Sequence, residues 1–178
     1  MRISTKRLTI RPLEIEDQPH LFQYMSNERV MKYIPEGTYT REGVLQFILE
    51  NRGEQMKHFA VLEKQTKQLI GHLAFHPYFG KHTYEIGWVF HPTFHRQGYA
   101  TEAAQAMIAY GFEELNIHRI IATCQPENTA SYRVMENIEM RKEGHFLQCI
   151  PAGNQWWDEY YYAILQEEYQ ANQRALIE

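Results

Sequence analysis

Cysteine is scarce in this chain: two of 178 residues, Cys124 and Cys149. So few thiols exclude a small disulfide-stapled scaffold and fit an intracellular protein that keeps both free. No run of about 18 apolar residues occurs, which excludes a membrane-spanning helix. The opening Met1-Arg2-Ile3-Ser4-Thr5-Lys6 is too polar for a secretory signal, so the cytoplasm is the expected compartment. A basic block is also missing. The net charge is −4, from 18 Lys and Arg against 22 Asp and Glu, which argues against nucleic acid as a partner. That charge is what ordinary solubility requires, and it also draws weakly on cationic amines. Neither Gly-x-Gly-x-x-Gly nor Gly-x-x-x-x-Gly-Lys-Ser/Thr is present. Nine histidines invite a metal, but there is no His-Glu-x-x-His. His72 and His76 are four apart, as are His91 and His95, and both pairs fall on strand or loop. There that spacing does not make the paired-ligand face of a helix, so no metal is expected.

What is present is the material for a core. Apolar residues make up 44% and aromatics 13%, and the length predicts one compact domain over residues 1–178. Alternation predicts a strand over 6–13, with Leu8 and Ile10 on one face. Helical spacing follows over 14–25, through Leu21, Phe22 and Met25, then a loop over 33–39 with Pro35 and Gly37. Thr40 is a candidate N-cap for a helix over 40–56, buried through Val44, Phe47 and Ile48. The period then changes to two. Strands are predicted over 58–63, 69–77 and 83–90, the first two joined by the polar turn Lys64-Gln65-Thr66-Lys67. The stripe Ala100, Ala103, Ala104, Met107, Ile108, Gly111 and Leu115 predicts a helix over 98–115. A strand over 118–124, a short helix over 128–138 and a hairpin of 143–150 with 156–165 around Pro151-Ala152-Gly153-Asn154 complete the chain. The pattern is α/β (α+β): a mostly antiparallel mixed sheet of about seven strands with helices on both faces.

The segment His95-Arg96-Gln97-Gly98-Tyr99-Ala100-Thr101-Glu102-Ala103 follows a strand and opens a helix. Backbone N–H groups at a helix N-terminus are unpaired and carry partial positive charge, which makes an anion site. Gly98 lets the backbone turn tightly beside a diphosphate, and Arg96 adds a charged contact. A single glycine before a helix is, by itself, more often a plain turn.

This segment resembles the acetyl-CoA pyrophosphate loop of the GNAT superfamily, Arg/Gln-x-x-Gly-x-Gly/Ala. Tyr84-Glu85-Ile86-Gly87-Trp88-Val89 before it is similar to the branch that acetylates ribosomal-protein N-termini. So are Pro126-Glu127-Asn128-Thr129-Ala130-Ser131 with Val134-Met135-Glu136, and the opening Thr5-Lys6-Arg7-Leu8-Thr9-Ile10-Arg11-Pro12. His95 departs from the usual Arg or Gln. Ile138-Glu139-Met140 departs from the usual Leu-Gly-Phe.

The resemblance implies a GNAT-like domain with a splayed central strand pair, and direct acetyl transfer from acetyl-CoA to an amine with no acyl-enzyme. It implies that the loop residues Arg96, Gln97, Gly98, Tyr99, Ala100 and Thr101 hold the pyrophosphate. Trp88, Val89 and Phe90 would offer backbone groups to pantetheine, or serve only as core strand. Glu85, on the same strand, is a candidate general base, or a structural carboxylate. Asn128 and Ser131 share a helix face, which the resemblance aims at pantetheine and the coenzyme sulfur. Asn128 also reads as an N-cap. Where many relatives place a tyrosine acid this chain has Met135, so Ser131 becomes the candidate proton donor, while Tyr132 should point elsewhere. Arg133, Arg141 and Lys142 are candidates for the ribose phosphate, against plain solvated charge. In the aromatic run 156–162, half the residues belong to the core by alternation and half are available to wall an acceptor site. The expected acceptor is the N-terminal amine of a protein such as a ribosomal protein. The alternatives are a small-molecule amine and a non-catalytic acyl-CoA-binding module. The expected state is monomer or homodimer, with no membrane and no direct nucleic-acid contact.

Overall fold

The computed structural model describes residues 1–175. They fall into two compact units, one of Met1–His76 with Gly87–Met107, the other of Pro77–Ile86 with the chain from Ile108 onward. The architecture is α+β, with eight strands in the order β1-β2-β3-β4-β5-β6-β8-β7, one more than the pattern predicts.

In the first unit β1 (Ile3–Ser4) and β2 (Leu8–Pro12) lead to a 3₁₀ turn, Ile15–Asp17, and α1 (Gln18–Met25). The expected continuous helix over 14–25 is thus split. Asp17 is the reason: its buried carboxylate binds Arg11 through two bonds of 2.7 and 2.8 Å and accepts the Glu14 N–H at 2.8 Å, tying down the turn. A single turn of helix, α2 (Glu28–Met31), was not legible in the pattern, because one turn carries no periodicity. Thr40 caps α3 (Arg41–Glu50), accepting the Gly43 N–H at 3.0 Å. The helix ends six residues short of its predicted limit, where Gly53, at φ +57°, opens a 3₁₀ turn. β3 (His58–Glu63) has its predicted bounds, and β4 (Leu69–Phe79) runs two residues further than expected.

Leu21, Tyr24, Met25, Met31, Val44, Ile48, Ala60 and Leu69 form one buried cluster. Each large apolar side chain in it contributes roughly 1.5–3 kcal/mol by leaving water. Val89, from β5 (Thr83–Phe90), packs on this cluster. β5 lies so close to β4 at Gly71 that a Cβ there would meet the Phe90 ring and the Val89 carbonyl at 2.6 Å. Glycine at position 71 therefore sets the path of Val89 and Phe90.

α4 (Tyr99–Glu113) runs through both units. In the second unit β6 (Arg119–Cys124) pairs parallel to β5, with Thr83, Tyr84 and Glu85 against Arg119, Ile120 and Ile121. The ladder stops there, although β5 goes on to Ile86 and β6 to Cys124 in the same unit. This is where the sequence places a splay. β6 then pairs antiparallel with β8 (Gln155–Leu165), and β8 with β7 (Arg141–Ala152). β7 begins two residues earlier and ends two later than expected, so the hairpin turn narrows to Gly153 (φ +62°) and Asn154. Between β6 and β7 lies α5 (Thr129–Asn137). Its C-terminus keeps the turn that a glycine would make. Glu139 sits at φ +64°, the Met140 N–H bonds the Met135 carbonyl, and the Glu139 N–H bonds the Glu136 carbonyl, each at 3.0 Å. A last helix, α6 (Gln166–Ala175), was not expected, since only its Ala and Tyr residues interrupt a polar sequence.

Candidate active site

The 96–101 loop is built from its neighbours inward. A 3₁₀ turn, Pro92–Phe94, follows β5, and the His95 Nε2–H donates to the Phe90 carbonyl at 2.9 Å. His95 thus anchors the entry of the loop rather than reaching outward as an Arg would. The Gln97 amide donates to the Thr93 carbonyl at 2.8 Å. Arg96 (φ +60°) and Gly98 (φ +77°) both take left-handed backbone. A Cβ on Gly98 would meet Arg7 at an ordinary 3.4 Å, so the conformation and not the space asks for glycine. The first hydrogen bond of α4 runs from the Glu102 N–H to the Gly98 carbonyl, at 3.0 Å, so the N–H groups before it have no helical acceptor. Successive free N–H groups after left-handed residues, at the positive end of a 15-residue helix, suit a diphosphate.

A brace behind this loop was not legible in the sequence. The Arg7 guanidinium donates to the Gln97 carbonyl at 2.8 Å and to Glu102 at 2.6 Å, and lies 4.4 Å over the Tyr99 ring. Glu102 also accepts from the Thr5 hydroxyl at 2.6 Å and the Arg7 N–H at 2.9 Å. Burial pushes the Glu102 pKa up, but Thr5 and Arg7 outweigh it and hold it below the usual range. The Tyr99 hydroxyl donates to Glu63. Arg7 and Glu102 are 95 residues apart, and neither carries a local pattern that announces the other.

Of the other predicted residues in this unit, Phe90 is buried and Trp88 and Val89 are half-buried. The Val89 and Phe90 side chains belong to the core, which leaves their backbone as the part able to meet a ligand.

In the second unit, register partners share a face of the sheet. Glu85 pairs with Ile121, and Thr123, two along, pairs with Tyr161, so Glu85, Thr123 and Tyr161 share one face. The Thr123 hydroxyl donates to the Glu85 carboxylate at 3.4 Å. Cys124 and Tyr160 lie on the opposite face. Ser131 of α5 is within hydrogen-bond reach of the Cys124 sulfur. Burial raises the Cys124 thiol to about 11, against the lowering pull of Ser131, so it stays protonated. Asn128 caps α5, accepting the Ser131 N–H at 3.4 Å. Met135 is buried, and Tyr132 is turned against Tyr160, with ring centroids 6.0 Å apart. Arg133 is exposed. Arg141 is committed to Glu143 and Glu168, and Lys142 sits over the Tyr160 ring. Thr123 and Cys124 were not singled out in the sequence, since only the strand registers bring them to this site, and Tyr161 entered there only within the aromatic run 156–162.

Among the described residues no group of three His, Cys, Asp or Glu side chains is placed to hold a metal ion. Nor is any of their helices long and apolar enough to cross a membrane.

A family described as "Acetyltransferase (GNAT) domain" matches residues 7–141. A Bacillus subtilis (strain 168) protein named uncharacterized N-acetyltransferase YnaD is 57% identical over 169 residues, covering 95% of this chain and 99% of that one. The crystal structure of an acetyltransferase (GNAT family) from Bacillus anthracis superposes with a TM-score of 0.92 at 58% identity, over 94% of this chain and 100% of the other. The spermidine N-acetyltransferase from Vibrio cholerae, solved with CoA and spermine, shares the fold with a TM-score of 0.82 at 23% identity, over 93% of this chain and 99% of that one.

Proposed function

The chain belongs to the acetyltransferase (GNAT) family, and from that premise we propose that it acetylates the N-terminal amine of a protein, such as a ribosomal protein, by direct attack on acetyl-CoA. It is an N-acetyltransferase of the GNAT type. The observation that carries the coenzyme reading is the backbone of the 96–101 loop. Two left-handed residues and unpaired N–H groups precede the first hydrogen bond of α4. These N–H groups, with Arg96, hold the pyrophosphate. In the first unit, backbone groups of Trp88, Val89 and Phe90 serve pantetheine; in the second unit, the Asn128 amide is the group for pantetheine and Arg133 the group for the ribose phosphate.

Acetyl transfer needs a neutral amine, an oriented thioester and a proton for the leaving thiolate. Glu85 takes the ammonium proton. Thr123, donating to its carboxylate, fixes its rotamer. Ser131 gives a hydrogen bond to the leaving sulfur. An α-amine, with a pKa near 8 against about 10.4 for a lysine, is the acceptor that needs least help from a single carboxylate. A small-molecule amine is the second reading, supported by the net charge of −4. Free Cys124 and Cys149 support a cytoplasmic setting.

Mass spectrometry of acetyl-CoA reactions with peptides, lysine side chains and small amines tests this reading. α-Amine products are expected, with Glu85→Gln lowering kcat by about 100-fold and leaving coenzyme affinity intact. A mutant with the wild-type rate and pH profile would demote Glu85 to structure. No transfer to any amine would leave a binding module only.

A further inference from the structure

The second unit carries an aromatic trough on the Glu85 face of its sheet. Tyr161 sits beside Thr123 by register, and its phenol is raised by burial first and then by the nearby Tyr78 and Glu85. Two rings flank it. Tyr78 lies 6.4 Å away at 59°, and Phe146 lies 5.9 Å away at 73°. Both flanking rings are about half exposed, 52% and 51%, although aromatic rings gain from being covered. Three rings beside a carboxylate suit an ammonium bonded to an apolar body.

The charges on this face are mixed: Glu159, which pairs with Phe146 and lies two residues before Tyr161 on β8, shares it. Arg119 pairs with Leu165 in the same ladder as Thr123 and Tyr161, four residues before Thr123, so it lies on the same face. Its guanidinium is fixed by Glu143 and is in hydrogen-bond contact with Tyr161. Glu143 is itself shared between Arg119 and Arg141. Arg119 is thus charge-paired, and with Glu85 and Glu159 beside the rings the face attracts an ammonium, while the apolar rings and not a free cation select the rest of the acceptor.

We infer that the acceptor is an amine with a compact apolar or aromatic group next to the ammonium, seated on Tyr78, Tyr161 and Phe146. This rests on the reading of the chain as an amine acetyltransferase with Glu85 as base. The chemistry is shared by a free arylalkylamine and by a peptide with an apolar first residue.

The test is the initial rate of acetyl transfer, at saturating acetyl-CoA, to phenethylamine, to a neutral peptide beginning with Phe, to putrescine and to spermidine. The first two are expected to exceed the polyamines in kcat/KM by about 10-fold or more. Tyr78→Ala and Phe146→Ala should each raise the KM for phenethylamine several-fold, roughly 3- to 10-fold, with the KM for acetyl-CoA unchanged. Transfer to the peptide alone supports the inference with a protein as source, and transfer to the free amine alone supports it with a small molecule. Preference for spermidine or putrescine overturns the inference and leaves the enzyme reading standing. So does an unchanged KM in both aromatic variants. No transfer to any of the four, in protein that still binds acetyl-CoA by calorimetry, brings down the enzyme reading and this inference with it.

Discussion

At the scale of single residues, backbone conformation says more than side-chain identity. Gly98 faces open space and an ordinary contact, yet its φ of +77° suits no branched side chain. Left-handed backbone costs an L-residue about 1–2 kcal/mol, and a β-branched one suffers most. Gly98→Val should therefore twist the loop and crowd the N–H groups that face the pyrophosphate. Acetyl-CoA affinity is expected to fall by about 10-fold or more in calorimetry, a loss of roughly 1.4 kcal/mol or more. Gly53→Val, at φ +57° in a distant turn of the same unit, imposes the same strain and should leave affinity alone. Equal affinities in the two variants would take the coenzyme away from this loop. Position 96 makes the opposite point. Arg96 holds left-handed backbone without being glycine, a departure from local preference of the kind that functional loops retain.

At the scale of elements, α5 ends in a left-handed turn whose two hydrogen bonds are complete but whose residue is wrong for it. Glu139 carries φ +64° where glycine is the usual choice, and its side chain recovers only an exposed bond to Asn172, at 2.7 Å. Glu139→Gly should raise stability by about 0.5–1 kcal/mol, read as a higher midpoint in urea or heat. A lower midpoint would mean that the bond to Asn172 outweighs the strain. The same turn shows what sequence can carry. The missing glycine was visible, but not that the turn would survive it, because φ depends on the cap bonds from Glu139 and Met140. Strands β3 and β5 were legible to the residue, since alternation over six to eight positions is a strong signal. α2 and β1 are too short to show a period, and α6 buries no residue that would reveal one. Asn128 was legible as a cap from its place after Pro126-Glu127. The Arg7–Glu102 brace and the ring trio around Tyr161 were not, because each joins segments that only the strand order brings together.

At the scale of the whole molecule, two of the nine histidines, His58 and His72, tie stability to pH. His72 is buried in the first unit with its Nδ1 2.8 Å from the Tyr24 hydroxyl, and His58 lies 5.6 Å from it, ring to ring, against Phe47. The His58 Nδ1 has no hydrogen-bond partner. Burial first, then the neighbouring His76 and Lys57, lowers His58 from 6.5 to about 4, and burial with His58 lowers His72 to about 3. Both rings are thus neutral in the folded chain. The unfolded chain takes up protons from about pH 6.5 downward, and the folded one refuses them until about pH 4 and pH 3. Stability from this pair is complete above pH 6.5 and declines as the pH falls through that window. A displaced pKa is worth about 1.4 kcal/mol per pH unit, so the loss is on the order of several kcal/mol, comparable with the net stability of a domain. Urea midpoints measured from pH 8 to pH 4 should fall steeply below about pH 6.5. His58→Phe keeps an aromatic ring beside Phe47 and removes one titrating group along with an unsatisfied nitrogen. It should flatten the acid limb and gain most over the wild type near pH 4 to 5, where the unfolded His58 is charged. An acid limb of the same slope in the variant would move the pH sensitivity from this pair to carboxylates held below their usual range, Glu102 with its bonds from Thr5 and Arg7 first among them.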